Sequence, residues 1–153
     1  MSRINMGWIR FSISFFLLLG AISLHGQLKI SWDVLADVTF TEEYDKELNA
    51  YWLIPTFGKK LKTYRNKNII LEGYFIPVDA ANSFFVLSKN PYAACFFCGA
   101  AGPETIVEIQ PKDVFSRRLR LDDRIRLKGK LKLNKRDFNH CNYILADAEL
   151  LSN

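Results

Sequence analysis

Residues 124–133 constrain the fold of this chain more than any other stretch of its sequence. Cations alternate there with apolar or small residues, the cations being Arg124, Arg126, Lys128, Lys130 and Lys132. Successive side chains of a β-strand point to opposite faces, so this alternation predicts a strand with one apolar face and one cationic face. Such a strand needs partner strands that help to enclose its apolar face.

Four other segments are rich in β-branched and aromatic residues and end at turn-forming residues: 68–78, 83–88, 105–110 and 142–151. Together with residues 124–133 they predict five strands. The connection between the third and fourth strands is irregular, and residues 113–121 within it are ambiguous, a helical turn being one interpretation. This order predicts a mostly β protein built on a five-stranded OB-like barrel, with a small β-sandwich as the alternative.

A glycine interrupts the first of these predicted strands. Gly73 has no side chain to pack, and a glycine inside a strand commonly marks a bulge or a close approach of another backbone. We expect one of these two at Gly73.

The first 26 residues are predicted to be an export signal. Arg3 and Arg10 lie ahead of a largely apolar run of 14 residues, 11–24. That run is shorter than the ~20 residues that span a bilayer as a helix. Ser23 and Gly26 offer cleavage points, and an uncleaved anchor is the alternative. With no cysteine following the leader, we expect a periplasmic or secreted protein that is not a lipoprotein.

Residues 27–67 form an acidic and aromatic segment that we expect to pack on the barrel of residues 68–153. Trp32, Leu35 and Val38 recur at a spacing of three, which predicts a short helical turn. Further along, Tyr51, Trp52 and their neighbours lead to a proline-bearing stretch that we expect to pack across the domain. These aromatic residues are interpreted as core or clamp residues.

Three motifs, taken in order, resemble an uncharacterised family of small exported bacterial proteins with an OB-like barrel. They are the W-x-x-L of Trp32 to Leu35, the G-Y-x-x-P of Gly73 to Pro77, and the C-x-x-C of Cys95 to Cys98 with the following Gly102-Pro103-Glu104-Thr105. The resemblance covers most of the chain after the leader. It implies little about activity, and it suggests a link to envelope ABC-type transport or metal-uptake systems.

Three cysteines and one histidine of the exported part form the candidate site: Cys95, Cys98, His140 and Cys141. The third and fifth strands of an OB barrel run side by side in parallel, so the loops that lead into them meet at one rim. Two thiolates of the C-x-x-C, with Cys141 or His140, then predict a zinc site. A disulfide between two cysteines, or buried thiols without a ligand, are the alternatives.

Enzymatic activity is less expected than binding. His140 is the single histidine outside the leader, and the chain holds no nucleophile elbow and no glycine-rich phosphate loop. No helix is evident after Cys95 to stabilise a reactive thiolate, which argues against thioredoxin-like chemistry. The sequence therefore predicts a non-enzymatic, envelope-associated binding or accessory module, and a thiol-disulfide or metal-dependent enzyme is the alternative.

The cationic face of residues 124–132 is a candidate surface for an anion or a partner: Arg124, Arg126, Lys128, Lys130 and Lys132. Nucleic acid is not expected as a partner, because export would separate the protein from it. In addition, no aromatic residues that could stack on bases lie between these cations. The simplest interpretation is a solvated strand face that rests on the acidic N-terminal segment. An acidic envelope protein or an anionic membrane surface is the alternative partner.

Overall fold

The computed structural model describes residues 28–46, 49–79, 81, 83–115 and 117–152. The predicted signal peptide, residues 1–26, lies outside the described residues. The regular elements in chain order are β1 Leu28–Lys29, α1 Trp32–Leu35, β2 Val38–Asp45, β3 Ala50–Phe57, α2 Lys59–Lys62, β4 Asn68–Asp79, β5 Phe84–Ser88, β6 Ile106–Pro111, β7 Arg124–Leu133 and β8 Tyr143–Leu150. Among the residues described, no helix has the length and apolar character needed to cross a membrane.

Five strands close into a barrel. β4 pairs with β5, β5 with β6, β8 with β7 and β7 with β4, all antiparallel, whereas β6 and β8 are parallel. The long strand β4 allows closure, because its first part pairs with β7 and its last part with β5. The predicted OB-like barrel is confirmed, and its five strands are those expected from the sequence. β1 adds a short parallel strand beside β4.

The alternating strand β7 has the two faces that its sequence predicts. Ile125, Leu127 and Leu131 are at most 2% exposed and belong to the main core. The short helices α1 and α2 contribute Leu35 and Leu61 to the same core, and both are fully buried. Residues that precede the barrel therefore share its core.

Tyr143 and Gly73 show how closely the parts of the core approach one another. The fully buried Tyr143 hydroxyl donates a hydrogen bond to the Leu35 carbonyl at 2.9 Å. At Gly73, a Cβ atom would lie 2.5 Å from the backbone oxygen of Ser88. The pairing of β4 is regular there, so Gly73 marks a close approach and not a bulge.

The structure differs from the sequence-based expectations outside the barrel. The predicted helical turn is α1, and its Trp32 indole donates a hydrogen bond to the Glu72 carbonyl at 2.8 Å. Strands β2 and β3, however, form an antiparallel hairpin, which is a sheet of its own and was not predicted. The ambiguous stretch 113–121 contains no helix in its described residues.

Candidate binding site at the barrel rim

The parallel pairing of β6 and β8 brings two loops to the same rim of the barrel. Glu108 of β6 pairs in register with Ile144 of β8. The loop before β6 carries Cys95 and Cys98, and the loop before β8 carries His140 and Cys141. The two loops therefore meet at one rim of the barrel, as the sequence predicts.

Glu108 is a site residue that the sequence analysis missed. It lies inside β6 and is 4% exposed. Its carboxylate accepts hydrogen bonds from the Cys141 amide at 3.0 Å and the Gln110 side-chain amide at 2.9 Å, and it contacts Nδ1 of His140 at 2.8 Å. These contacts compensate for the removal of the carboxylate from water. Glu108 thereby fastens the start of β8 to β6.

The contact with Glu108 sets the direction of the His140 ring. A carboxylate that hydrogen-bonds one ring nitrogen orients the imidazole and leaves the other nitrogen for a ligand. The His140 side chain is 40% exposed, against 6% for that of Glu108, and it lines the cleft described below. His140 is therefore an oriented polar group at the edge of a cavity.

Two short 3-10 turns, Tyr92–Ala94 and Phe96–Cys98, place the cysteines of the C-x-x-C motif. Cys95 joins the turns and is fully buried, in a small apolar cluster with Ile76 and Val86. Cys98 is exposed and donates a hydrogen bond to the Tyr92 carbonyl at 3.1 Å. The Cys95 thiol is near enough to contribute, after burial, to the raised pKa of Cys98.

The third cysteine packs on the same cluster. Cys141 is partly buried against the side chains of Ile76, Val86 and Cys95. Loss of water contact, followed by the nearby charge of Glu108, raises the pKa of the Cys141 thiol to about 12. Burial and the proximity of Cys95 also raise the pKa of Cys98. All three cysteines, which lie in the described part of the chain, are free thiols.

The predicted zinc site would need several donors around one point. Structural zinc sites in proteins have four donors at tetrahedral positions. In the part of the chain that the structure describes, no group of three or more His, Cys, Asp or Glu side chains is placed to hold a metal ion. Zinc at Cys95, Cys98, His140 and Cys141 stays a prediction.

A cleft of about 460 Å³ opens at the rim, between the hairpin and the barrel. Its apolar walls come from four separate parts of the chain, and Lys135, Asp137 and His140 supply polar groups. The aromatic residues of the walls are Tyr51, Trp52, Phe84, Phe96, Phe97 and Phe138. The cleft was not predicted, since its walls are far apart in sequence.

Two contacts hold the hairpin against the loop between β7 and β8. The rings of Trp52 and Phe138 stack with centroids 4.1 Å apart and planes inclined by 23°. Beside them, Arg136 forms an ion pair with Glu43 at 2.9 Å. The indole N–H of Trp52 is buried and has no hydrogen-bond partner among the described residues. The hairpin is thus a wall of the cleft that is attached mainly through side chains.

The predicted cationic face is only partly available to a partner. Arg124 is paired with Glu72 at 2.7 Å, and Lys128 lies 3.8 Å from Glu149. Arg126 donates a hydrogen bond to the Ser152 carbonyl at 2.8 Å. Within the described residues, Lys130 and Lys132 are exposed and form no ion pair. Near this face, the acidic segment contributes the ion pair of Glu43 with Arg136, which lies in the loop after β7.

Comparison with known proteins finds no matching family model, no matching curated protein and no matching solved structure.

Proposed function

We propose that this chain is an exported, non-enzymatic binding module of the cell envelope, whose rim cleft takes a small organic ligand with an apolar surface. The cleft is the observation that carries the proposal. Its volume of about 460 Å³ lies within the range of about 300–1,000 Å³ that small-molecule sites occupy. Aromatic walls with a few oriented polar groups are also typical of such sites.

The polar edge of the cleft supports recognition of a ligand that carries a hydrogen-bonding group. His140 is held by the buried Glu108, so its free ring nitrogen has a fixed direction at the cleft edge. Lys135 offers a positive charge on the same lining. A ligand with an aromatic or aliphatic body and an acidic or acceptor group would use both parts of the cleft.

The state of the thiols favours binding over catalysis. A nucleophilic or redox-active cysteine works as its thiolate. The pKa values of Cys98 and Cys141 are both raised, so these thiols are protonated near neutral pH. Thiol-disulfide exchange at Cys95 and Cys98 is the second candidate function, and the proximity of their sulfur atoms is the observation that favours it.

The envelope context is part of the same proposal. Export follows from the predicted leader, and the family resemblance supports an accessory role beside an ABC-type transport or metal-uptake system. An envelope protein or the anionic membrane surface would be the partner in that role.

Fluorescence of 1-anilinonaphthalene-8-sulfonate, an aromatic anion, tests the cleft. We expect saturable binding that Phe97→Ala weakens about tenfold, because the loss of one contacting ring removes about 1.4 kcal/mol. Phe97 is 41% exposed and lines the cleft, so its replacement tests the wall with little effect on the core.

Leu121→Ala is the matched control, since Leu121 is also a large exposed apolar residue, at 50%, and lies outside the cleft. It should bind the dye as the unaltered chain does. Equal affinity of the Phe97→Ala variant and the unaltered chain would overturn the proposed function.

A further inference from the structure

The C-x-x-C motif places two sulfur atoms together in a rigid turn. The Cys98 amide donates to the Cys95 carbonyl at 3.2 Å, and the Cys98 thiol donates to the Tyr92 carbonyl at 3.1 Å. The Cys95 thiol is near enough to contribute, after burial, to the raised pKa of Cys98. Gly99 ends the turn with φ +71°, a left-handed conformation that glycine adopts without strain. The backbone of this turn thus fixes the positions of both cysteines.

One sulfur of the pair is buried and the other is open to solvent. Cys95 is fully buried among apolar side chains, whereas Cys98 is exposed. A dissolved ion can therefore reach the pair through Cys98 and become partly enclosed beside Cys95. Neither cysteine lines the aromatic cleft, although Phe96 and Phe97 between them do, so the pair lies behind one wall of the proposed ligand site.

Beside the pair, the Tyr92 carbonyl lies 3.1 Å from the Cys98 sulfur, and it is a hard oxygen donor that soft metal ions do not select. Nδ1 of His140 is engaged by Glu108 at 2.8 Å. Among the described residues, no three His, Cys, Asp or Glu side chains gather to hold a metal. An ion bound here would be held by two sulfur atoms.

Two thiolates without further donors match one kind of biological metal ion. Zinc, calcium and magnesium need four or more donors, whereas soft thiolates select Cu⁺. Cu⁺ is stable with two sulfur donors in a linear arrangement. We propose that Cys95 and Cys98 together bind one Cu⁺ ion as a two-coordinate dithiolate.

Binding changes no oxidation state. Two S–H bonds break, two Cu–S bonds form, and two protons are released to solvent, so that the Cu⁺ dithiolate carries one negative charge. The site requires the reduced form of the pair, and a disulfide between Cys95 and Cys98 would abolish it.

An anaerobic titration with Cu⁺ against the chromogenic chelator bicinchoninate tests the proposal. The full chain is first reduced with dithiothreitol and freed of it by gel filtration. We expect one Cu⁺ per chain, and at least a 100-fold weaker affinity for Cys98→Ser. Because Cys98 is exposed, that variant should fold.

Cys141→Ser is the matched control. Cys141 packs near Cys95 but lies outside the motif, so its loss should change the affinity less than threefold. X-ray absorption at the copper edge should show two sulfur neighbours. Cu⁺ retained by Cys98→Ser, or a third sulfur lost with Cys141, would overturn the two-thiol site.

The competing assignment is a four-donor zinc site at the same rim. The reduced chain mixed with zinc and passed through gel filtration should retain none. One equivalent of zinc that is retained and then lost on His140→Ala would contradict the inference. The dye-binding experiment on Phe97 is independent of this result, so failure of the copper site leaves the proposed cleft function standing.

Discussion

At the scale of single residues, Glu108 connects β6 to the loop that enters β8. Its carboxylate has three partners, and the residue is only 4% exposed. Glu108→Ala leaves the part-buried Cys141 backbone amide and Gln110 side-chain amide without this acceptor. We expect a loss of about 2–3 kcal/mol in the free energy of unfolding, since each unsatisfied buried group costs about 1–3 kcal/mol. Urea denaturation measures this loss.

Glu149→Ala provides the comparison for that measurement. Glu149 pairs with Lys112 at 3.0 Å at the surface, and exposed pairs contribute only about 0–1 kcal/mol. If the two alanine variants lose the same stability, Glu108 does not fasten the start of β8 to β6.

Cys141 gives the protein a predicted sensitivity to alkaline pH. Burial raises its pKa from 9.0 to about 12 in the folded chain. Between these values the unfolded chain releases the thiol proton and the folded chain keeps it, so stability falls as pH rises. We expect the free energy of unfolding to be about 1.4 kcal/mol lower at about pH 10 than at about pH 8 because of this group.

Chemical denaturation at the two pH values checks the effect. Cys141→Ala should lose this part of the pH dependence, whereas Cys98→Ser, which alters an exposed thiol, should keep it. An unchanged alkaline slope in Cys141→Ala would show that other groups cause it.

Single residues also show where sequence reasoning stops. The thiols and His140 could be selected because their chemistry is visible from residue type and spacing. Glu108 could not be selected from the sequence, because it lies in an otherwise apolar strand and its role depends on partners 32 and 33 residues away. A carboxylate inside a predicted buried strand is the signal that could have identified it.

At the scale of elements, the junction of β4 and β5 depends on the absence of a side chain at Gly73. A Cβ there would lie 2.5 Å from the Ser88 carbonyl and 3.0 Å from the Trp32 ring. Backbone cannot move aside cheaply, so we expect Gly73→Ala to cost about 2 kcal/mol. Differential scanning calorimetry should show a melting temperature about 8 °C lower.

Gly102→Ala is the control for this element. A Cβ at Gly102 meets the Glu104 carboxylate, the far end of a flexible side chain that can rotate away. The melting temperature of that variant should change by less than half as much. A tolerated Gly73→Ala would mean that β4 and β5 can separate without cost.

The barrel strands were predictable because each carries its own local pattern. β7 has a strict period of two, and β4 and β8 are rich in β-branched residues or apolar residues bounded by turns. The hairpin of β2 and β3 was not predictable in this way, because its acidic and aromatic residues are mostly exposed and follow no clear alternation. Its pairing and its contact with Phe138 are tertiary features.

At the scale of the whole molecule, charge is distributed so that only part of the basic strand can act on a partner. The full chain carries a net charge of +5. Arg124 and Lys128 of β7 already face Glu72 and Glu149. An anionic surface would therefore bind at the exposed side chains of Lys130 and Lys132.

Vesicle binding tests this distribution. We expect the chain to sediment with phosphatidylserine-rich vesicles, and the double variant Lys130→Gln with Lys132→Gln to bind about 30-fold more weakly. The reason is that each lysine near an anionic surface contributes about 1 kcal/mol. Added salt should weaken the binding of the unaltered chain, because the attraction is screened.

The matched double variant is Arg124→Gln with Lys128→Gln. It removes the same formal charge from the same strand, but from cations that lie beside carboxylates at 2.7 Å and 3.8 Å. Because those carboxylates already offset the field of the two cations, its effect should be several-fold smaller. Equal losses in the two double variants would mean that net charge alone governs binding, and no loss in either would remove the membrane as a partner of this face.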